Sequence, residues 1–133
     1  MSPFLIIIAI VLSSVIAVQL WGLYKSKKSV GRQIPYSEIE QEFIDKIKDK
    51  TGLVYFYSPR CSNCKTQTPI IDKISKKFSH IISIDATNNL KTAKAFNVIG
   101  TPSIIFFAED KIKGYFVGVK SEAFLEEKLK SSK

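Results

Sequence analysis

Apolar and polar positions divide the chain into two unlike parts. From Phe4 to Tyr24, 21 residues pass without one formal charge. As a helix rising ~1.5 Å per residue, such a block extends about 31 Å, close to the thickness of a bilayer's hydrocarbon layer. It has no polar face, which a helix on the surface of a water-soluble core requires. Trp21 and Tyr24 lie at its far end, where an interfacial aromatic belt belongs, and Lys25, Lys27 and Lys28 follow directly. The block therefore reads as a retained signal-anchor, a single transmembrane span over 3–24. A cleaved signal peptide fits less well. It wants a basic leading flank, a shorter apolar core and an A-x-A-like exit, whereas Met1-Ser2-Pro3 carries no basic side chain and no A-x-A follows.

Beyond the block, short periodic segments replace the continuous run. Ser26 to Gln33 is polar, so 25–33 reads as a basic tether and 34–133 as the folded domain. Tyr36 to Lys50 carries Ile39, Phe43, Ile44 and Ile47 at helical spacing. Ser37 with Glu40 three residues later fits a capping box, and Thr51-Gly52 ends the run. Leu53 to Tyr57 is almost wholly apolar and aromatic, as a strand buried on both faces would be. From Cys61 or Ser62 to Phe78, the positions Ile70, Ile71, Ile74 and Phe78 mark a second helix, with Pro69 inside it as a source of a kink. Ile81 to Ile84 is a strand, Leu90 to Phe96 a short helix, and Ser103 to Phe107 a third apolar strand. A polar turn at Glu109-Asp110-Lys111 precedes a fourth strand from Ile112 to Val119. A helix from Ser121 to Lys130, with Phe124, Leu125 and Leu129 on one face, completes the pattern. This order predicts an α/β domain. The helix between the first two strands makes them parallel, and the short link before the fourth makes an antiparallel hairpin.

Composition removes several classes of protein. At 133 residues with 45% apolar and 11% aromatic content, the chain is too short for a multidomain enzyme and too apolar for disorder. Net charge is +8, but half of it falls before residue 35, on Lys25, Lys27, Lys28 and Arg32. The remainder is only mildly basic and unclustered, which argues against nucleic acid as a partner.

The only cysteines are Cys61 and Cys64. Two cannot build a disulfide scaffold, and a pair so close is more often redox-active or metal-binding. Structural zinc needs four ligands, and His80 is the only histidine available to help. A haem attachment motif needs histidine after the second cysteine, where Lys65 stands. Two inert buried thiols are the remaining bland reading. Placement decides among these. The pair lies where a strand ends and a helix begins, and unpaired N–H groups of a helix's first turn stabilise an anion. Cys61 there is favoured as a thiolate nucleophile, and Cys64, one turn on, can attack a mixed disulfide formed at Cys61. Arg60 and Lys65 push the same way, weakly where solvent screens them. His80, after Phe78-Ser79 and just before a strand, reads as a surface-turn residue without a catalytic role.

With these residues in place, the segment from about Ile34 to Leu129 resembles the thioredoxin family. The resemblance is carried by Val54-Tyr55-Phe56-Tyr57, Cys61-Ser62-Asn63-Cys64-Lys65 and Pro69. Further along it is carried by Ile84-Asp85, Gly100-Thr101-Pro102 and Val117-Gly118. It implies a four- or five-stranded mixed sheet flanked by helices, and a thiol–disulfide oxidoreductase acting on protein thiols or disulfides. It further implies Cys61 as attacking thiol, Cys64 as resolving thiol, a cis Thr101–Pro102 bond, and a Thr101 backbone that pairs with extended substrate. Pro69 and Gly118 would open room around the dithiol.

The chain also departs from the family's pattern. Ser62-Asn63 stands where many members have Gly-Pro, and Arg60 where they have Trp. Because the intervening dipeptide helps set the potential, the direction of electron flow stays open at this point. The family's buried acid aligns with Tyr55, read here as a packed strand aromatic, and the acid's lysine partner aligns with Ile81. No metal, flavin or nucleotide site is visible, as there is no Gly-rich phosphate loop and no second C-x-x-C. With no cofactor expected, an external electron donor or acceptor is implied. The competing function is a non-catalytic binding or scaffold module on the same fold at a membrane. The lysines after the span place residues 25–133 on the cytoplasmic side by the positive-inside rule. An extracytoplasmic domain is the alternative, since tethered relatives commonly face outward.

Overall fold

The computed structural model describes residues 2–132. Met1, Lys133 and the side chains of Lys25, Ser26 and Lys27 lie outside the described residues, so the Lys25 and Lys27 charges read from the sequence are not placed by it. The apolar block forms helix α1 (Pro3–Ser29), and its Pro3–Tyr24 stretch is long and apolar enough to cross a membrane. Not one residue of its most apolar window is buried against the rest of the chain.

The expected polar tether takes a different form. α1 runs on to Ser29, and the chain reverses at Gly31, whose φ of +86° suits a residue without a Cβ. It is then pinned along the domain's edge. The Gly31 amide donates to Ile112 O at 2.7 Å, the Ile112 amide to Arg32 O at 2.9 Å, and the Ile34 amide to Asp110 O at 2.9 Å. Gln33 and Lys111 form an antiparallel bridge. Backbone hydrogen bonding available on an unpaired strand edge thus converts the segment into a strap.

The domain contains α2 (Gln41–Ile47), β1 (Gly52–Tyr57), α3 (Ser62–Lys77), β2 (Ile81–Asp85) and α4 (Leu90–Ala95), followed by β3 (Ser103–Ala108), β4 (Lys111–Val117) and α5 (Glu122–Ser131). The four-stranded sheet has the order β2-β1-β3-β4, with β1 and β2 parallel and the other pairings antiparallel. Helices cover both faces, which is why β1 and β3 are buried almost throughout and read as near-continuous apolar runs rather than alternating. Val54, Phe56, Ile105 and Phe107 face a core shared with Phe43, Ile47 and Phe96. Leu53, Tyr55, Ile104 and Phe106 face the core under α3 and α5, with Ile71, Ile74, Leu125 and Leu129. The β3–β4 hairpin turns at Glu109 and Asp110, with φ of +54° and +60°, the left-handed pair that matches strand twist.

The first domain helix is shorter than its apolar spacing predicts. Tyr36–Glu38 is a single 3-10 turn, Ile39 is extended, and α2 starts only at Gln41. The capping box does not form, because Glu40 is engaged elsewhere. Its carboxylate accepts the Thr92 amide at 2.9 Å, and the Thr92 hydroxyl oxygen accepts the Glu40 amide at 3.1 Å. Tertiary pairing to the start of α4 wins over a local cap because it satisfies two backbone N–H groups across 52 residues, one of them on the buried Thr92.

Candidate active site

β1 ends at Tyr57, and Ser58-Pro59-Arg60 turns the chain into α3. Cys61 occupies the N-cap in an extended conformation, and its sulfur accepts the Cys64 backbone amide at 3.1 Å. A backbone N–H of the helix's first turn is thus directed at the Cys61 sulfur. Cys61 and Cys64 are joined as a disulfide with Cα atoms 5.2 Å apart. Exposure separates them. Cys61 is partly exposed, whereas Cys64 is buried at 3%. No acidic residue occupies the first turn of α3.

The Thr101–Pro102 bond is cis. Ser58 ties this loop to the dithiol turn, since its hydroxyl lies 3.3 Å from the Thr101 hydroxyl while its carbonyl accepts the Cys61 amide at 3.2 Å. The Gly118 amide donates to Pro102 O at 2.9 Å, closing the loop against the end of β4. The Cys61–Cys64 turn and the Thr101-Pro102 loop are therefore tied to each other through Ser58. His80 is not part of this link. It is exposed at the start of β2, beside Gly52, at the opposite end of the sheet, where a side chain on Gly52 would overlap its carbonyl oxygen.

Two buried polar side chains near this site, Tyr55 and Gln67, have hydrogen-bond partners that the sequence did not show, and only Gln67 was not singled out from it. Tyr55 is a fully buried strand aromatic, as expected, but its hydroxyl also donates to Cys64 O at 3.3 Å and lies 3.0 Å from the Thr68 hydroxyl. Desolvation raises the Tyr55 phenol above its ordinary value of 10.0, so it stays protonated and acts as a donor at neutral pH. Gln67 is fully buried. Its carboxamide oxygen accepts the Lys120 amide at 2.6 Å and its nitrogen donates to Lys120 O at 3.2 Å, securing the segment after β4. A signal for Gln67 existed. Cys64, Gln67, Ile71 and Ile74 recur at helical spacing, and a polar residue within that stripe needs a partner.

Comparison with known proteins agrees with this geometry. A family model described as Thioredoxin matches residues 35–131. A thioredoxin of Buchnera aphidicola is 30% identical over 83 residues, covering 60% of this chain and 76% of that protein. A protein disulfide-isomerase of Datisca glomerata is 32% identical over 101 residues, covering 69% of this chain. An NADPH-dependent thioredoxin reductase 3 of Arabidopsis thaliana is 30% identical over 84 residues. The chain spans only 20% and 16% of the length of these last two proteins. The solved thioredoxin of Fasciola hepatica shares the fold, with a TM-score of 0.62 at 22% identity over 70% of this chain and 90% of that one. A strand-to-helix dithiol facing a Thr-Pro loop, on a mixed sheet matched along residues 35–131, places this chain in the thioredoxin family.

Proposed function

We propose that this chain is a membrane-tethered thiol–disulfide oxidoreductase acting on protein thiols and disulfides. The observation that carries the reading is the Cys61–Cys64 disulfide at the N-terminus of α3, linked through Ser58 to Thr101-Pro102. In the reducing direction, the Cys61 thiolate attacks one sulfur of a substrate disulfide, forming a mixed disulfide and expelling the other sulfur as a thiolate. The Cys64 thiolate then attacks the Cys61 sulfur, forming the intramolecular disulfide and releasing the second substrate thiolate. Two electrons pass from the dithiol to the substrate, and an external dithiol donor restores Cys61 and Cys64. The oxidising direction is the reverse sequence with an external acceptor. The partial exposure of Cys61 and the burial of Cys64 support attack at the first and resolution at the second. The backbone around Thr101 and Pro102 serves as the edge on which extended substrate is held.

The 3–24 span retains the protein in the membrane, with 34–133 as the catalytic domain. Lys28 and Arg32, with Lys25 and Lys27, support a cytoplasmic domain. Insulin reduction with a dithiol donor tests the activity, because a scaffold module would show equal rates for the wild type and Cys61→Ser. A redox titration assigns direction, a midpoint near about −270 mV marking a reductase and one near about −120 mV an oxidant. Labelling of intact cells with a membrane-impermeant maleimide, after mild reduction, tests sidedness. Rapid labelling of Cys61 without permeabilisation would place the domain outside.

A further inference from the structure

Two exposed apolar side chains of the domain, Ile99 and Val117, lie next to the Thr-Pro loop, and both line a groove with α1. Ile99 is 60% exposed and Val117 44% exposed. Ile99 precedes Gly100-Thr101-Pro102, and Val117 precedes Gly118, whose amide holds Pro102. Both line one shallow groove together with Gln19, Gly22 and Leu23 of α1. A neighbouring groove joins Trp21 and Tyr24 to Asn97 and Arg32. Loop 97–101 therefore stands at the level of the helix's aromatic end, and Ile99 and Val117 stand against residues that belong to the apolar span itself.

The length of the connection agrees. Between Tyr24 and the strap at Gly31 there are six residues, five of them helical. At ~1.5 Å per helical residue they allow only about 10 Å of separation between the span's end and β4. Lys28 and Arg32 then lie at headgroup height, where cationic side chains attract anionic lipid.

We infer that the apolar rim formed by Ile99 and Val117 rests in the interfacial layer of the bilayer that holds α1. The dithiol is thereby presented to cysteines of membrane-held proteins that lie at the bilayer surface. This rests on the proposed span and dithiol chemistry and narrows them to one class of substrate. A surface occupied by lipid accounts for two exposed aliphatic side chains beside an apolar helix, and nothing on the rim itself is charged.

The test uses the full chain in vesicles of phosphatidylcholine with phosphatidylglycerol. Trp21→Phe combined with Ile99→Trp leaves a single tryptophan on the rim, and Trp21→Phe with Ser79→Trp provides a control at the far end of the sheet. Lipids brominated at the shallow acyl positions should quench the rim tryptophan at least about three-fold more than the control. Equal quenching of the two, in vesicles with which the protein floats, overturns the inference and leaves the anchor intact. Failure to float overturns both. Val117→Trp gives the same readout should Ile99→Trp fail to fold. A second measurement compares a disulfide peptide joined to phospholipid through two residues with the same peptide joined through twenty. The docked rim should reduce the short-linked peptide at least as fast as the long-linked one, and a ten-fold disadvantage for the short linker overturns the proposal. Six Gly-Ser residues inserted between Ser29 and Val30 should create that disadvantage while leaving reduction of the free peptide unchanged. Absence of turnover with every peptide would sink the oxidoreductase reading, while tryptophan quenching still decides the position of the rim.

Discussion

The two ends of α3 treat the same helix dipole in opposite ways. At the C-terminal end, Lys76 and Lys77 fill the last turn, and the Lys77 ammonium lies 2.8 Å from Glu122 and 2.6 Å from Glu126 of α5. Charge and dipole agree there, and the gain is local stability. At the N-terminal end the first turn holds no acid, and the position a carboxylate would take is given to the Cys61 sulfur. In the proposed exchange, that electrostatic stabilisation is withheld from the resting fold and made available to a thiolate at Cys61. One helix serves as a scaffold at one end and as an electrostatic device at the other.

The strongest way to break this contrast is to remove the anion it serves. Cys61→Ser should lose turnover by at least about three orders of magnitude, the scale of losing an enzymatic nucleophile. Cys64→Ser should keep attack but not resolution, and accumulate covalent partners on non-reducing gels. Equal trapping by the two variants would contradict the assigned roles.

The next effect concerns the support beneath that end. Tyr55→Phe removes the donor to Cys64 O and orphans the Thr68 contact, costing about 1 kcal/mol in urea unfolding. If the hydroxyl only stabilises the fold, the pH profile of insulin reduction should keep its shape. A displaced profile would assign it a positioning role at the dithiol.

Filling the vacant acid position is a smaller change. Asn63→Glu should strengthen the helix end by about 0.3–1 kcal/mol and oppose a thiolate at Cys61 by a similar amount. Alkylation of the reduced protein at pH 7 should slow about three-fold, with the deficit shrinking at higher pH. An unchanged rate would mean that the first turn does not govern Cys61.

The smallest effect belongs to the other end. Hydrogen bonding to Glu122 raises the Lys77 ammonium above its ordinary value of 10.5, and the same contact holds the Glu122 carboxyl below 4.5. The lysine's contribution is fully present below pH 10.5 and is lost as pH rises through its raised folded value. The glutamate's is present above pH 4.5 and fades as pH falls through its lowered folded value. Lys77→Ala should therefore lower Tm only slightly between those limits, and less in high salt, because both groups face solvent. Any change in thiol reactivity would show that the two ends are not independent.

Much of this was legible because local patterns carried it. The blocks at Leu53–Tyr57 and Ser103–Phe107 are short, largely apolar runs bounded by turn residues, the signature of strands in a sheet covered on both sides. Cys61 and Cys64 pointed to dithiol chemistry through their spacing together with their placement at a strand-to-helix junction. The Ser37–Glu40 box failed because its local signal was outbid by a partner 52 residues away, and single-chain periodicity carries no information about such a partner. The polar segment after α1 looked like a free tether because a strap held by backbone hydrogen bonds has no side-chain signature.

The sequence by itself determined most of the elements, the apolar helix and the Cys61-x-x-Cys64 pair on which the proposed chemistry rests. These depend on residue type and on spacings within one or two turns. Tertiary structure decided which distant segments meet. It brought Thr101 to Ser58, placed the Tyr55 hydroxyl under Cys64, tied Gln67 to Lys120, and set Ile99 and Val117 against α1. Each of those contacts joins residues far apart along the chain, or depends on how a strand packs under a helix. Such contacts exist only once the hydrophobic faces have closed on one another and fixed the register between them.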